Sequence, residues 1–98
     1  MTIVRYQTIQ KLKTNKRFSH SLLDDEINDQ IEACLADLKV CGIAEPDETD
    51  ALILAALKLW FRANFTSDTD EAAKYIDRYN AQKACLMMAE GYGGGAND

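Results

Sequence analysis

Residues 50–65, DALILAALKLWFRANF, carry twelve apolar side chains in sixteen, and only Asp50, Lys58, Arg62 and Asn64 are polar. A helix of that composition has no full polar face, so most of its circumference must be covered by other parts of the chain or by another chain. Such a helix is about 24 Å long, with Lys58 and Arg62, four apart, as a narrow cationic stripe. A bilayer span needs about 20 apolar residues. This run is shorter and two cations interrupt it, so it reads as the central buried helix of a small bundle and not as a membrane segment. Ile53, Leu57 and Trp60, four and three apart, predict a buried row on one face. Trp60, Phe61 and Phe65, next to Leu57 and Leu59, read as core aromatics and not as a cofactor box.

Ninety-eight residues suffice for one domain with a core that needs no staples. The first residues, MTIVRYQTIQKLK, lack the continuous apolar stretch of a cleavable signal, which points to an intracellular protein. Cys34, Cys41 and Cys85 include no C-x-x-C pair, and His20 is the only histidine. Neither a zinc site nor a catalytic constellation is legible in them. Cys34 and Cys41, seven apart, fall on the helix face that holds Ile31 and Leu38, where small reduced core thiols are expected. No nucleophile with its base, no metal set and no phosphate loop can be found, so the sequence gives no reason to expect an enzyme or a bound cofactor.

Charge is unevenly divided. Residues 1–20 hold Arg5, Lys11, Lys13, Lys16 and Arg17 and no acid, a formal +5, while the remaining residues carry −10. A basic N-terminal arm on an acidic body is the resulting picture. The body should not coat nucleic acid by itself, because neutralising phosphates is what supplies non-specific affinity. The arm has two possible partners: DNA, or an acidic patch on a neighbouring subunit.

In chain order, Ile3, Val4, Tyr6, Ile9 and Leu12 give a weak helical phase, read as a short helix around residues 5–13 followed by a basic loop. SLLDDEIND, residues 21–29, looks like a helix start, with Ser21 or Asp24 as cap and acids where the helix dipole favours them. Ile27, Ile31, Cys34, Leu38 and Cys41 then make one buried face, and Gly42 ends the helix. Asp25, Asp29 and Glu32 line the outer side. Acids inside a helix do not have calcium-loop spacing, so they read as a solvated face. Residues 43–49 are a connector with the only proline, and Asp47, Thr49 or Asp50 caps the central helix. After a turn capped by Ser67, Asp68 or Thr69, a last helix over residues 70–90 has Ala72, Tyr75, Ile76, Tyr79, Leu86 and Met87 as its principal face. Ala81, Ala84, Cys85 and Met88 form a second apolar strip, either sandwiched inside the domain or meeting another subunit. Residues 93–98 end a flexible glycine-rich tail. The expected fold is all-α: a small helical bundle of three long helices, near 23–41, 50–64 and 70–90, plus a short N-terminal helix, with the arm at 1–20 and the helical domain at 21–92.

Three pieces in this order, LDDEINDQIEACLADLKVCGI (residues 23–43), DALILAALKLWFRANF (50–65) and YIDRYNAQKACLMMAEGY (75–92), resemble the small all-helical head-tail connector, or head-completion adaptor, proteins of tailed bacteriophages and prophages. With their connectors they span about seven-tenths of the chain. The resemblance rests on order, spacing and the aromatic and Leu-Met-Met, Gly-Tyr ends of the second and third pieces. It implies a structural virion protein made in the bacterial host cytoplasm, assembling into a homo-oligomeric ring below the portal protein. That ring extends the DNA channel, lets DNA pass without specific binding, and offers a platform to a tail-side adaptor protein. The family has no active-site residues to carry over. Candidate subunit contacts are the basic set Arg5, Lys11, Lys13, Lys16 and Arg17, the acidic set Asp25, Asp29 and Glu32, and the strip Ala81, Ala84, Cys85 and Met88. The arm is expected to be mobile until it meets a neighbour's acidic face or the portal. The alternative function is a small helical DNA-binding or DNA-packaging protein; against it, no helix is basic along one face.

Overall fold

In a computed structural model of the chain, residues 2–14 and 24–89 are described, and among them every regular element is a helix and none is a strand. Thr2 opens α1 (Ile3–Lys13) by accepting the Arg5 amide on its hydroxyl, 3.1 Å away. α2 (Asp24–Val40) begins with three acids, Asp24, Asp25 and Glu26, at the positive end of its dipole. Its stop is a Schellman turn: Gly42 donates to the Lys39 carbonyl and Ile43 to that of Leu38, both at 3.1 Å. Gly42 has φ +104°, and a Cβ there would meet nothing within 4 Å, so backbone conformation alone selects glycine.

Of the three candidate caps before the central helix α3 (Ala51–Phe65), Asp50 does the work, accepting the amides of Leu52 and Ile53. Asp47 instead closes a local turn by accepting the amide and hydroxyl of Thr49. α4 (Thr69–Met88) is capped by Asp68, which accepts from Asp70 and Glu71. α4 starts one residue before the expected helix and stops two short of it, within the usual fraying of helix ends.

One core joins the four helices of the described residues: Ile9 and Leu12 of α1, Ile27, Ile31, Cys34 and Leu38 of α2, Ile43 of the connector, Ile53, Ala56, Leu57 and Phe61 of α3, and Tyr79 and Leu86 of α4. The expectation of a mobile arm therefore fails over Ile3–Lys13. Two apolar side chains, Ile9 and Leu12, are buried against the body, and that burial offsets the ordering entropy of a helix whose apolar residues are not gathered on one face. Lys16, Arg17 and His20, the Ser21 cap and the glycine-rich tail lie outside the described residues.

Three expectations about burial need correction. Trp60 is only partly buried at the edge of the core, while Phe61, one position on, is enclosed. The row on α3 thus runs Ile53, Leu57, Phe61, at a spacing of four. On α4, Ile76 and Met87 are exposed although they were placed on the principal face, and Tyr79 and Leu86 are the buried anchors. Cys41, placed on the buried face of α2, falls in the turn beyond Val40 and is only partly buried; on the central helix, Leu52 is about half exposed. Four helices of this length enclose one side of α3 and α4 and leave the other to solvent or to a partner.

Candidate interaction surfaces

Where α2, α3 and α4 meet, four titratable or polar side chains form one chain of hydrogen bonds. The Cys34 thiol donates to the Tyr79 hydroxyl at 3.8 Å, Tyr79 donates to Asp37 Oδ2 at 2.6 Å, and Lys83 Nζ donates to the same oxygen at 3.0 Å. Lys83 also lies 5.1 Å from the centroid of the Tyr79 ring, and Trp60 packs edge-on against that ring at 5.2 Å while donating from Nε1 to Gln30 Oε1. A cavity of about 260 Å³ opens beside them, lined in part by Trp60, Ile76, Tyr79 and Lys83.

The electrostatics make this cluster a clamp and not a reaction centre. Burial pushes the Cys34 thiol up to about 12, the opposite of what a nucleophile needs. Burial and the bond to Asp37 likewise raise the Tyr79 phenol. Burial by itself would lower Lys83, but the Asp37 hydrogen bond and charge hold it above its ordinary value. Burial would raise Asp37, and its bonds from Tyr79 and Lys83 outweigh that and hold it low. At neutral pH the thiol and the phenol stay protonated and the ammonium charged, so none of the three is a nucleophile, and Asp37 is a weakly basic carboxylate occupied by two donors. A thiol reagent should therefore modify the exposed Cys85 first, Cys41 more slowly, and the enclosed Cys34 only at the rate of unfolding; rapid labelling of all three in native buffer would contradict the clamp.

A second cluster fastens α1. Arg5 places Nε and Nη2 on the Glu48 carboxylate at 3.0 and 2.8 Å, Nη1 on Asn28 at 2.8 Å, and Nη2 also 2.7 Å from Glu32. Glu48 accepts the Thr8 hydroxyl as well, at 2.6 Å. Lys13 pairs with Asp24. With Arg5 beside Asn28 and Glu32, and Lys13 beside Asp24, α1 runs antiparallel to α2.

The candidate contact residues thus fall into two groups. Arg5, Glu32 and Lys13 are engaged inside the chain, so the pairing of basic arm with acidic face is satisfied, in part, within one subunit. Lys11, Asp25 and Asp29 remain exposed. Ala81, Ala84, Cys85 and Met88 form an exposed strip opposite Tyr79 and Leu86, with Met88 88 % exposed. Between the two readings of that strip, the sandwiched one is excluded by this exposure. The sequence reading missed a third surface. On α2, Asp25, Asp29, Ala33, Ala36 and Val40, at spacings of four, four, three and four, form an outer stripe, with Val40 86 % exposed. Its signal was the register directly opposite Ile27, Ile31, Cys34 and Leu38.

Among the described residues no three His, Cys, Asp or Glu side chains cluster to hold a metal ion, and no helix is long and apolar enough to cross a membrane. No family model, no curated protein and no solved structure matches the chain.

Proposed function

We propose that the chain is a structural subunit of a phage or prophage head-tail connector, a ring below the portal that extends the DNA channel and carries a docking platform for a tail-side adaptor. The reading starts from the order and character of the three helical pieces. The observation that carries it furthest is the exposed apolar strip Ala81, Ala84, Cys85 and Met88 on α4, joined by Met87. A chain this small that leaves a methionine-rich helix face uncovered has a surface suited to another protein. The helices form a flat body with extents of 44 × 34 × 18 Å, a shape suited to packing side by side around a channel.

Charge supports the same reading. The whole chain carries −5, and a channel wall of that sign does not hold the duplex as it passes. The competing function, DNA binding or packaging, relies on the N-terminal cations. Of these, Arg5 and Lys13 are spent on Glu48, Glu32 and Asp24. Negative-stain electron microscopy of concentrated protein, beside a sizing column, tests the proposal: closed rings forming with rising concentration are expected. A species that stays monomeric and binds DNA tightly in a salt-dependent shift assay would put the DNA-binding function in its place.

A further inference from the structure

Between α1 and α3 lies a cavity of about 80 Å³ lined by Lys11, Leu12, Thr14, Lys58, Phe61 and Arg62. Three cations converge on a space large enough for one carboxylate group, in a chain whose net charge is −5. Lys58 and Arg62 are one helical turn apart on α3, and α1 brings Lys11 to them by burying Leu12. α1 contains no acid at all. The Arg62 guanidinium also lies 5.9 Å from the centroid of the Tyr75 ring. The charged half of the α2 stripe has the opposite character: Asp25 and Asp29 are exposed on its axis, with Glu26 exposed beside them.

We infer that this basic cavity receives the acidic N-terminal half of α2 from a second copy of the chain, Asp29 of one subunit entering beside Lys11, Lys58 and Arg62 of the next. The inference rests on the connector reading above and names the contact that assembly would use. Both surfaces continue in a matching way. From the cavity, α1 runs back to the exposed Ile3, Val4 and Tyr6, with Ile3 78 % exposed; from Asp29, the α2 stripe runs on to Ala33, Ala36 and Val40. Antiparallel docking sets charge against charge and apolar end against apolar end at once. Lys11 to Ile3 spans about 12 Å and Asp29 to Val40 about 16 Å of helix axis, a difference that a lysine side chain takes up. The two patches are unlike, so the contact is heterologous and leaves each subunit with one free donor and one free acceptor surface, the requirement for a ring. Exposed charges dominate it, so salt weakens it.

Complementary charge reversal in the full chain tests the contact by sedimentation velocity over a range of concentration and salt, with thermal melts to confirm that each variant folds. Lys58→Glu and Asp29→Lys, both at exposed positions, should each raise the concentration needed for assembly at least tenfold. An equimolar mixture of the two should recover wild-type assembly to within a few-fold, because each reversed cavity then meets a reversed stripe. Variants that assemble like wild type, while Ala84→Asp does not, would overturn the contact in favour of the α4 strip and leave the connector reading standing. A mixture that fails to recover would overturn the specific pairing. No assembly of wild type at any concentration would remove the connector reading together with the contact. A salt-dependent DNA shift by wild type that Lys58→Glu abolishes, with assembly unchanged, would assign the cavity to phosphates and overturn the inference.

Discussion

Phe61→Ala should lower the unfolding free energy by about 3–5 kcal/mol, the usual range for emptying an enclosed aromatic site, out of a total of about 5–15 kcal/mol for a domain. Phe61 is 2 % exposed, packs against Phe65 with ring centroids 4.5 Å apart, and shares a cavity wall with Leu12 of α1. Its removal empties a site between α1 and α3. Trp60→Ala should cost less, about 2–3 kcal/mol, although the indole is the larger group. Trp60 keeps one edge in solvent, and what it loses is the ring contact to Tyr79 and the hydrogen bond to Gln30. Urea denaturation followed by far-ultraviolet circular dichroism gives both values, and the order is the decisive point. A larger loss for Trp60→Ala would mean that the core is centred on the indole after all.

That reversal of neighbours shows where sequence reasoning loses resolution. Helix existence and the stop at Gly42 were legible, and the caps Asp50 and Asp68 were legible to within three candidates each, because each depends on chemistry local to a few residues: a side-chain oxygen facing free amides, or a backbone that needs positive φ. The inner face of α2 was legible as well from Ile27 to Leu38, since the residues opposite it there are acids or alanines and leave one phase open. α3 has apolar residues all round, so several phases fit the pattern equally, and only the position of α4 and α1 decides that Phe61 faces inward and Leu52 outward. The role of Arg5 was hidden for a different reason. Its partner Glu48 lies 43 residues away in a connector that periodicity does not describe, and a sum of charges over residues 1–20 groups Arg5 with Lys11, which stays at the surface. The Cys34, Tyr79, Asp37 and Lys83 chain is equally non-local, although Cys34 as an inert core thiol was foreseeable from its place on the inner face of α2.

Arg5→Ala should cost about 2–4 kcal/mol, somewhat less than the roughly 3–5 kcal/mol for breaking a fully buried pair, because both partners keep a little solvent. The guanidinium joins α1 to α2 and to the connector ahead of α3 through Glu48, Asn28 and Glu32. Without it Glu48, whose side chain is only 11 % exposed, retains the Thr8 hydroxyl and no cation. Arg5→Lys should recover only a small part, since a single ammonium cannot make the two parallel bonds to Glu48 and reach Asn28 as well. The pH dependence separates this account from simple loss of packing. Burial would raise the Glu48 carboxyl, but the hydrogen bonds from Arg5 and Thr8 outweigh it and hold the group below its ordinary value. A depressed carboxyl means that the unfolded chain binds more protons, so the stabilisation is complete above the ordinary glutamate value of about 4.3 and fades as pH falls through the lower folded value. Asp37 is depressed by its own partners and adds acid sensitivity to wild type and variant alike, so it cancels in their difference. The gap between wild type and Arg5→Ala, taken from urea curves, should therefore be widest near neutral pH and narrow steadily on acidification below about pH 4. A gap of constant size over that range would show that Arg5 acts through the packing of its aliphatic stem and not through its charge.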